Sequence, residues 1–365
     1  MRGCRVWCTA AVVGALTAGA NTAQAQVEIT SKATRINLSG RAQIQFNHTS
    51  AEAAQLPTTF FVRRLRLTAE VTVNDFVYGK LQPEYGEGIV GLRDAYVRLN
   101  FSPGFRTTAG QFKRPFDVFE LVSSTQILVI ERPGGVREAS DCAGVGEVCT
   151  LSRFTEELLY SDRDIGFMID GRVAGWQYSG SITNGRGPNS KIDENASKSF
   201  TGRLEYNLGR ARIGAHAAAH DYVFTNPVDS STSDAYGYAF GADIDLGEYE
   251  TTGWHVKAGI VYGDNWKNQV GTTAADASKF LTAQGMLTYM FPVENSRFLY
   301  GVEPLARVSW GDPDRNVGGN EGLLVTPGVM LFFTGRNKLA INVDYYKPTG
   351  TDAEYSIKVQ LYLHF

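Results

Sequence analysis

Arg41, Arg64, Arg66, Lys80 and Arg98 all fall on the polar side of segments in which apolar and polar residues alternate. A guanidinium carries five donors in a fixed fork, so a run of them can hold an oxyanion by several hydrogen bonds at once. Lys113 and Arg114 extend the series into the start of a long polar stretch. Chemistry of this kind steers and binds anions without making or breaking a bond. A plainer arrangement is open to the same side chains, a hydrated wall in which each cation pairs with Glu70, Glu84 or Asp94.

Other groupings are weaker. His216 and His220 have an H-x-x-x-H spacing, but they lie on a strand-like segment without a third ligand. Asp312, Asp314 and Asn316 have the spacing that opens a calcium loop. Val317 stands where that loop needs Gly, and Leu323 where it needs a bidentate Glu. No Gly-rich phosphate loop follows a strand into a helix, and no nucleophile, base and acid assemble into a set. The expectation is a protein without catalytic residues, metal or cofactor. No basic block suggests nucleic acid.

The elements that must position these cations are strands. At the C-terminus Tyr355, Ile357, Val359, Leu361, Leu363 and Phe365 share one face, and Ser356, Lys358, Gln360, Tyr362 and His364 the other. Near the start Ile36, Leu38, Ala42, Ile44 and Phe46 alternate with Asn37, Ser39, Arg41, Gln43 and Gln45. Similar segments occur near 60–73, 77–85, 91–101, 105–112, 163–170, 176–183, 200–208, 212–220, 236–246, 252–262, 280–291, 299–310, 323–333 and 338–346. Short connectors such as Asn74-Asp75 and Ser102-Pro103-Gly104 alternate with long polar ones near 47–58, 113–162, 184–199, 221–235, 263–279, 311–322 and 347–354; 86–90 is a shorter member of the long set.

This rhythm predicts an all-β, antiparallel transmembrane barrel of about sixteen strands, with short periplasmic turns and long external loops. With 17 Tyr, 20 Phe, 39 Gly and only 12 Pro, the composition fits it. No run of about 20 apolar residues offers a spanning helix. Aromatics near the expected strand ends (Tyr78, Tyr85, Phe101, Tyr206, Tyr289, Phe291, Tyr300, Trp310, Phe332, Phe333, Tyr345 and Tyr355) are candidates for interfacial girdles. In the second strand Leu65 and Leu67 should then face lipid and Arg64 and Arg66 the lumen. An Arg on the lipid face would cost ~2–4 kcal/mol at the midplane.

The N-terminus sets the compartment. Arg2 and Arg5, an apolar stretch from Val6 to Ala18, and Ala23-Gln24-Ala25 form a secretory signal pattern. The expected organisation is a signal peptide over 1–25 and a barrel over 26–365, delivered to the bacterial outer membrane by Sec-dependent export. The exported part carries 33 Lys and Arg against 38 Asp and Glu. Cys4 and Cys8 leave with the signal. Cys142 and Cys149 remain and are expected to form a small disulfide loop in an oxidising compartment.

Residues 60–133 add a specific resemblance. Phe61-Val-Arg-Arg-Leu-Arg-Leu-Thr-Ala-Glu70 is followed by Leu92-Arg-Asp-Ala-Tyr-Val97, Phe101-Ser-Pro-Gly104, Gly110-Gln-Phe-Lys-Arg-Pro-Phe116, Glu120-Leu121, Ser123-Ser124 and Glu131-Arg132. In order and spacing this resembles the phosphate-selective porin O and P family. Arg163-Asp-Ile-Gly166 and Ile182-Thr-Asn-Gly-Arg-Gly187 resemble its next strand pair, and the likeness weakens after about residue 210. The resemblance implies a sixteen-stranded pore, a homotrimer set among lipid and lipopolysaccharide, that admits small hydrophilic solutes or anions such as phosphate. A structural or adhesive barrel with a plugged lumen is the alternative, and an outer-membrane hydrolase a more distant one. The third long loop, 113–162, is the candidate constriction. Between 114 and 162 it holds four Arg and no Lys against nine Asp and Glu. That balance would repel phosphate if the whole loop lined the passage. Either the acidic part lies outside, or the pore is not anion-selective.

Overall fold

The computed structural model describes residues 32–51, 57–136, 142–190, 192–193, 195–334 and 337–365. The expected signal peptide, 1–25, lies outside them, as do 137–141 of the third loop. Sixteen antiparallel strands run in chain order: β1 (Arg35–Thr49), β2 (Thr58–Thr72), β3 (Val77–Gly86), β4 (Ile89–Ser102), β5 (Phe105–Lys113), β6 (Arg163–Val173), β7 (Trp176–Thr183), β8 (Ser199–Asn207), β9 (Ala211–Thr225), β10 (Thr232–Leu246), β11 (Gly253–Gln269), β12 (Ala277–Pro292), β13 (Leu299–Asp312), β14 (Gly322–Phe333), β15 (Asn337–Pro348) and β16 (Glu354–His364). Each pairs with its sequence neighbours, and β1 pairs with β16 to close the barrel. Closure leaves no unpaired edge, which lipid requires of a spanning sheet.

The closing seam runs from Arg41 opposite His364 to Thr49 opposite Ser356. Beyond it the Gly40 and Phe365 backbones exchange two hydrogen bonds of 2.7 and 3.0 Å. Gly40 is needed here because a Cβ would lie 2.3 Å from the Phe365 ring.

Alternation sorts the two faces. Leu38, Ile44, Leu65, Leu67, Leu361 and Leu363 are exposed on the outer wall, while Gln43, Gln45, Arg64, Arg66 and Gln360 are buried inside. Trp176 with Tyr206 and Trp254 with Tyr289 form ring pairs near the short-turn end, with centroids 4.7 and 4.9 Å apart. Tyr78, Tyr300 and Phe332 do not belong to a girdle. Tyr78 packs on Tyr96, and Tyr300 joins Phe332 in the lumenal core.

Two turns show how tight the connectors are. Ala174 and Gly175 join β6 to β7 with both φ values positive (49° and 85°), the geometry that follows the twist of a hairpin. Glu87 and Gly88 do the same between β3 and β4 (53° and 75°), so this connection on the long-loop side is a two-residue turn. The loops expected at 221–235 and 263–279 are shorter than the sequence pattern implied, because β9 continues to Thr225 and β11 to Gln269. Past the lipid both strand faces are polar, so the hydrophobic alternation fades before the strand does.

Candidate functional site

The third loop leaves β5 at Lys113, turns into the barrel and returns at Arg163. Two short helices give it shape. Asp117 caps α1 (Val118–Leu121) by accepting from the Glu120 amide, and Thr150 caps α2 (Leu151–Glu157) by accepting from the Arg153 amide. A chain sealed from water must have its backbone groups satisfied, and here the wall does it. The Arg203 guanidinium donates to the Phe116 carbonyl at 2.9 Å, and Asp243 accepts from the Val118 amide at 3.1 Å. Asn342 accepts from Ile130 at 2.7 Å, Tyr346 from Cys149 at 3.1 Å, and Ser309 from Leu151 at 3.1 Å. Arg307 donates to the carbonyls of Glu131 and Arg132 at 2.9 and 2.7 Å.

Apolar packing completes the fit. Phe116, Phe119, Leu128, Ile130, Leu151, Phe154 and Leu158 form one core with Phe280, Met286, Leu305, Met330 and Phe332 of the wall. Phe154 stacks on Phe280 with centroids 4.8 Å apart. Burying a side chain of this size contributes about 1.5–3 kcal/mol. Cys142 and Cys149 are disulfide-bonded, 5.4 Å apart at Cα, and belong to the same buried core.

The residues of the expected anion track separate. Arg64 donates to the Gln43 side chain at 2.9 Å and meets Glu131 at 3.5 Å. Arg66 is ion-paired with Glu84 and donates to Ser124 Oγ at 2.9 Å. Lys80 lies 3.2 Å from Asp94, and Arg114 is enclosed, donating to the Ser161 carbonyl at 2.5 Å. Lys113 donates to the Val122 carbonyl at 3.0 Å and lies 3.4 Å from Glu120. Most of the series is therefore the hydrated-wall arrangement turned into loop anchors. Arg98 has no carboxylate partner among the described residues, donating to Thr108 Oγ1 at 3.1 Å and lying over the Tyr96 ring. Arg63 joins the lumen against the parity of its strand. A register shift at Gln43/Ile44 brings it to 2.5 Å from Glu131 and 3.3 Å from Glu87.

Among the described loop carboxylates, those of Glu120, Glu131 and Glu156 lie inside and are neutralised there, while Glu147 and Glu157 stay partly exposed beside Arg153. Burial opposes the charge on Glu131, yet Arg63 and Arg64 outweigh it and hold that carboxyl down at about 2. Burial, and then the neighbouring Glu120 carboxylate, push Glu156 well up, while Arg132 and Lys113 keep Glu120 low against its own burial. His216 sits 3.3 Å from Asp243 and edge-on to Phe116. His220 contacts Ser199 Oγ at 3.1 Å. The two histidines thus serve different parts of the wall. Asp312 and Asp314 accept from the amides of their own loop at 3.0 Å.

A vestibule of about 840 Å³ remains open beneath the loop. It reaches the short-turn end at Gly209, Arg210 and Leu246–Tyr249. Eight Lys or Arg line it against four Asp or Glu. Arg106 pairs with Asp170, while Arg212 and Lys257 share Asp245. Arg98, Arg172 and Arg210 have no carboxylate partner among the described residues. Arg172 and Arg210 could not be chosen from the sequence, because their place on the vestibule depends on where the loop leaves space.

A closed barrel with an apolar outer wall, a polar lumen and a folded-in third loop is the architecture of an outer-membrane diffusion channel. The profile of the phosphate-selective porin O and P family matches residues 36–279, and the chain belongs to that family. Curated protein sequences contain no match to this chain. Among solved structures it is similar to the outer-membrane channel DcaP of Acinetobacter baumannii (13% identity, 93% of this chain and 99% of that one, TM-score 0.59). It is similar also to Salmonella typhi OmpF in complex with daunomycin (13%, 92% and 100%, 0.58). OmpT of Vibrio cholerae is a third (12%, 92% and 99%, 0.57). At these identities the likeness is one of fold. Family and fold together place the protein in the bacterial outer membrane as a channel for passive diffusion.

Proposed function

We propose that the channel favours small hydrophilic anions and that the vestibule sets this preference. Arg98, Arg172 and Arg210 carry the reading, because they line open space and have no ion-pair partner among the described residues. An excess of one sign in a low-dielectric cleft raises the local concentration of the opposite ion. The third loop acts as the constriction above the vestibule, and its enclosed Glu120 and Glu131 are countered by Lys113, Arg63 and Arg64 of the wall. The family's description makes phosphate the first anion to test. A homotrimer in lipid and lipopolysaccharide accords with the apolar outer wall and with the trimer form of Vibrio cholerae OmpT.

The test is the reversal potential of the refolded protein in a planar bilayer under a KCl gradient. Anion preference is expected, and cation preference would overturn the reading. The extent of apolar loop in the lumen favours the second reading, a plugged barrel, which predicts no conductance at all from folded protein.

A further inference from the structure

A second cavity of about 120 Å³ lies beside the vestibule. Gln126 and Tyr249 line both spaces, so the smaller one is a side pocket of the larger. Its other walls include Arg41, Glu250, Lys338 and Tyr362. The charges at this pocket are not satisfied by one another. Arg41 is only 8% exposed, and among the described residues it makes no hydrogen bond or ion pair; its Nε is buried without a partner. Glu250 Oε1 and the Tyr362 hydroxyl are buried without partners too. Lys338 differs, since its ammonium is already used by the carbonyls of Thr125 and Ile127 and by the Tyr249 hydroxyl, at 3.1, 3.2 and 2.9 Å. It needs no ligand of its own.

Buried polar groups without partners are rare, and several around one cavity call for something that supplies the missing bonds. We infer that this pocket binds a small carboxylate that also carries a hydrogen-bond donor, a hydroxy or amino acid. The Arg41 fork takes the carboxylate in a two-bond contact. The Glu250 carboxylate accepts from the ligand's hydroxyl or ammonium group. The faces of Tyr249 and Tyr362, which already pack on the Lys338 ammonium at 5.0 and 4.5 Å, enclose the carbon frame. A solute held here would sit at the edge of the diffusion path, on the periplasmic side of the loop.

Isothermal titration of the refolded full-length protein in detergent tests this, with lactate, alanine and propionate as probes. Lactate or alanine should bind at least about fivefold more tightly than propionate, which lacks the donor. Arg41→Gln should weaken the binding of lactate and alanine by about tenfold or more, and Glu250→Gln should abolish their advantage over propionate. Heat-modifiable migration checks the fold of each variant, and Arg41→Lys, which keeps the charge and loses the fork, replaces Arg41→Gln if the latter does not fold. No binding by the native protein, equal binding of propionate, or native affinity in the Arg41 variant would each overturn the assignment. The titration needs no current, so its failure is distinct from failure of the anion-channel reading.

Discussion

Glu131 meets Arg63 at 2.5 Å and Arg64 at 3.5 Å, and the backbone at that point is held by Arg307. This makes it a charge latch between loop and wall. Its carboxyl is held at about 2, below the ordinary 4.5, so its stabilising effect is present above the ordinary value and fades as pH falls toward 2. The shift corresponds to about 3 kcal/mol. Glu131→Gln should therefore lower the unfolding free energy by about 3 kcal/mol at neutral pH, since it leaves two enclosed guanidiniums short of charge. Unfolding followed from pH 7 to pH 2 should show the gap between native and variant closing below about pH 4.5. A gap that stays constant down to pH 2 would contradict the role given to Glu131.

The strands and their order were legible at the level of elements, because lipid on one side and water on the other impose a two-residue period. The C-terminal alternation ending in Phe365 is the clearest case, and its pairing with β1 follows from the need for closure. The inward fold of the third loop was written more faintly. Phe280, Met286, Met330 and Phe332 occupy lumen-facing positions where a water-filled pore would place polar residues, and their only rationale is an apolar partner. Arg63 was not legible, since it is the extra residue of a bulge in β2 itself, and a two-residue period does not say where a bulge falls. The seam makes its own prediction. Gly40→Leu should lower the temperature at which the barrel loses its folded migration, because the new side chain must displace the Phe365 ring. Adding Phe365→Ala should recover part of that loss, and additive losses in the pair would contradict the contact. At the loop, replacing Cys142 and Cys149 by Ser should cost about 2–3 kcal/mol, the value expected for a short closed loop. Calorimetry should show this with the barrel's strand content unchanged. A loss of strand signal would mean that the loop supports the barrel rather than fills it.

For the whole molecule, selectivity is a matter of which charges remain after the loop has taken its share. The wall contributes many cations; the loop takes Arg63, Arg64 and Arg66 of β2 and Lys113 of β5, while Lys80 of β3 pairs with Asp94 of β4. What is left open is the vestibule, where Arg98, Arg172 and Arg210 have no ion-pair partner among the described residues. The track visible in the sequence and the track left for ions thus share Arg98 but differ in most members. Replacing these three residues by Glu takes six units of charge from the vestibule without touching a loop anchor. The decisive measurement is the reversal potential of that triple variant beside the native protein, in the same bilayer and KCl gradient. The native channel should prefer anions and the variant cations. An unchanged reversal potential in a folded, conducting variant would show that ions do not pass these arginines, and would contradict the vestibule as the seat of selectivity.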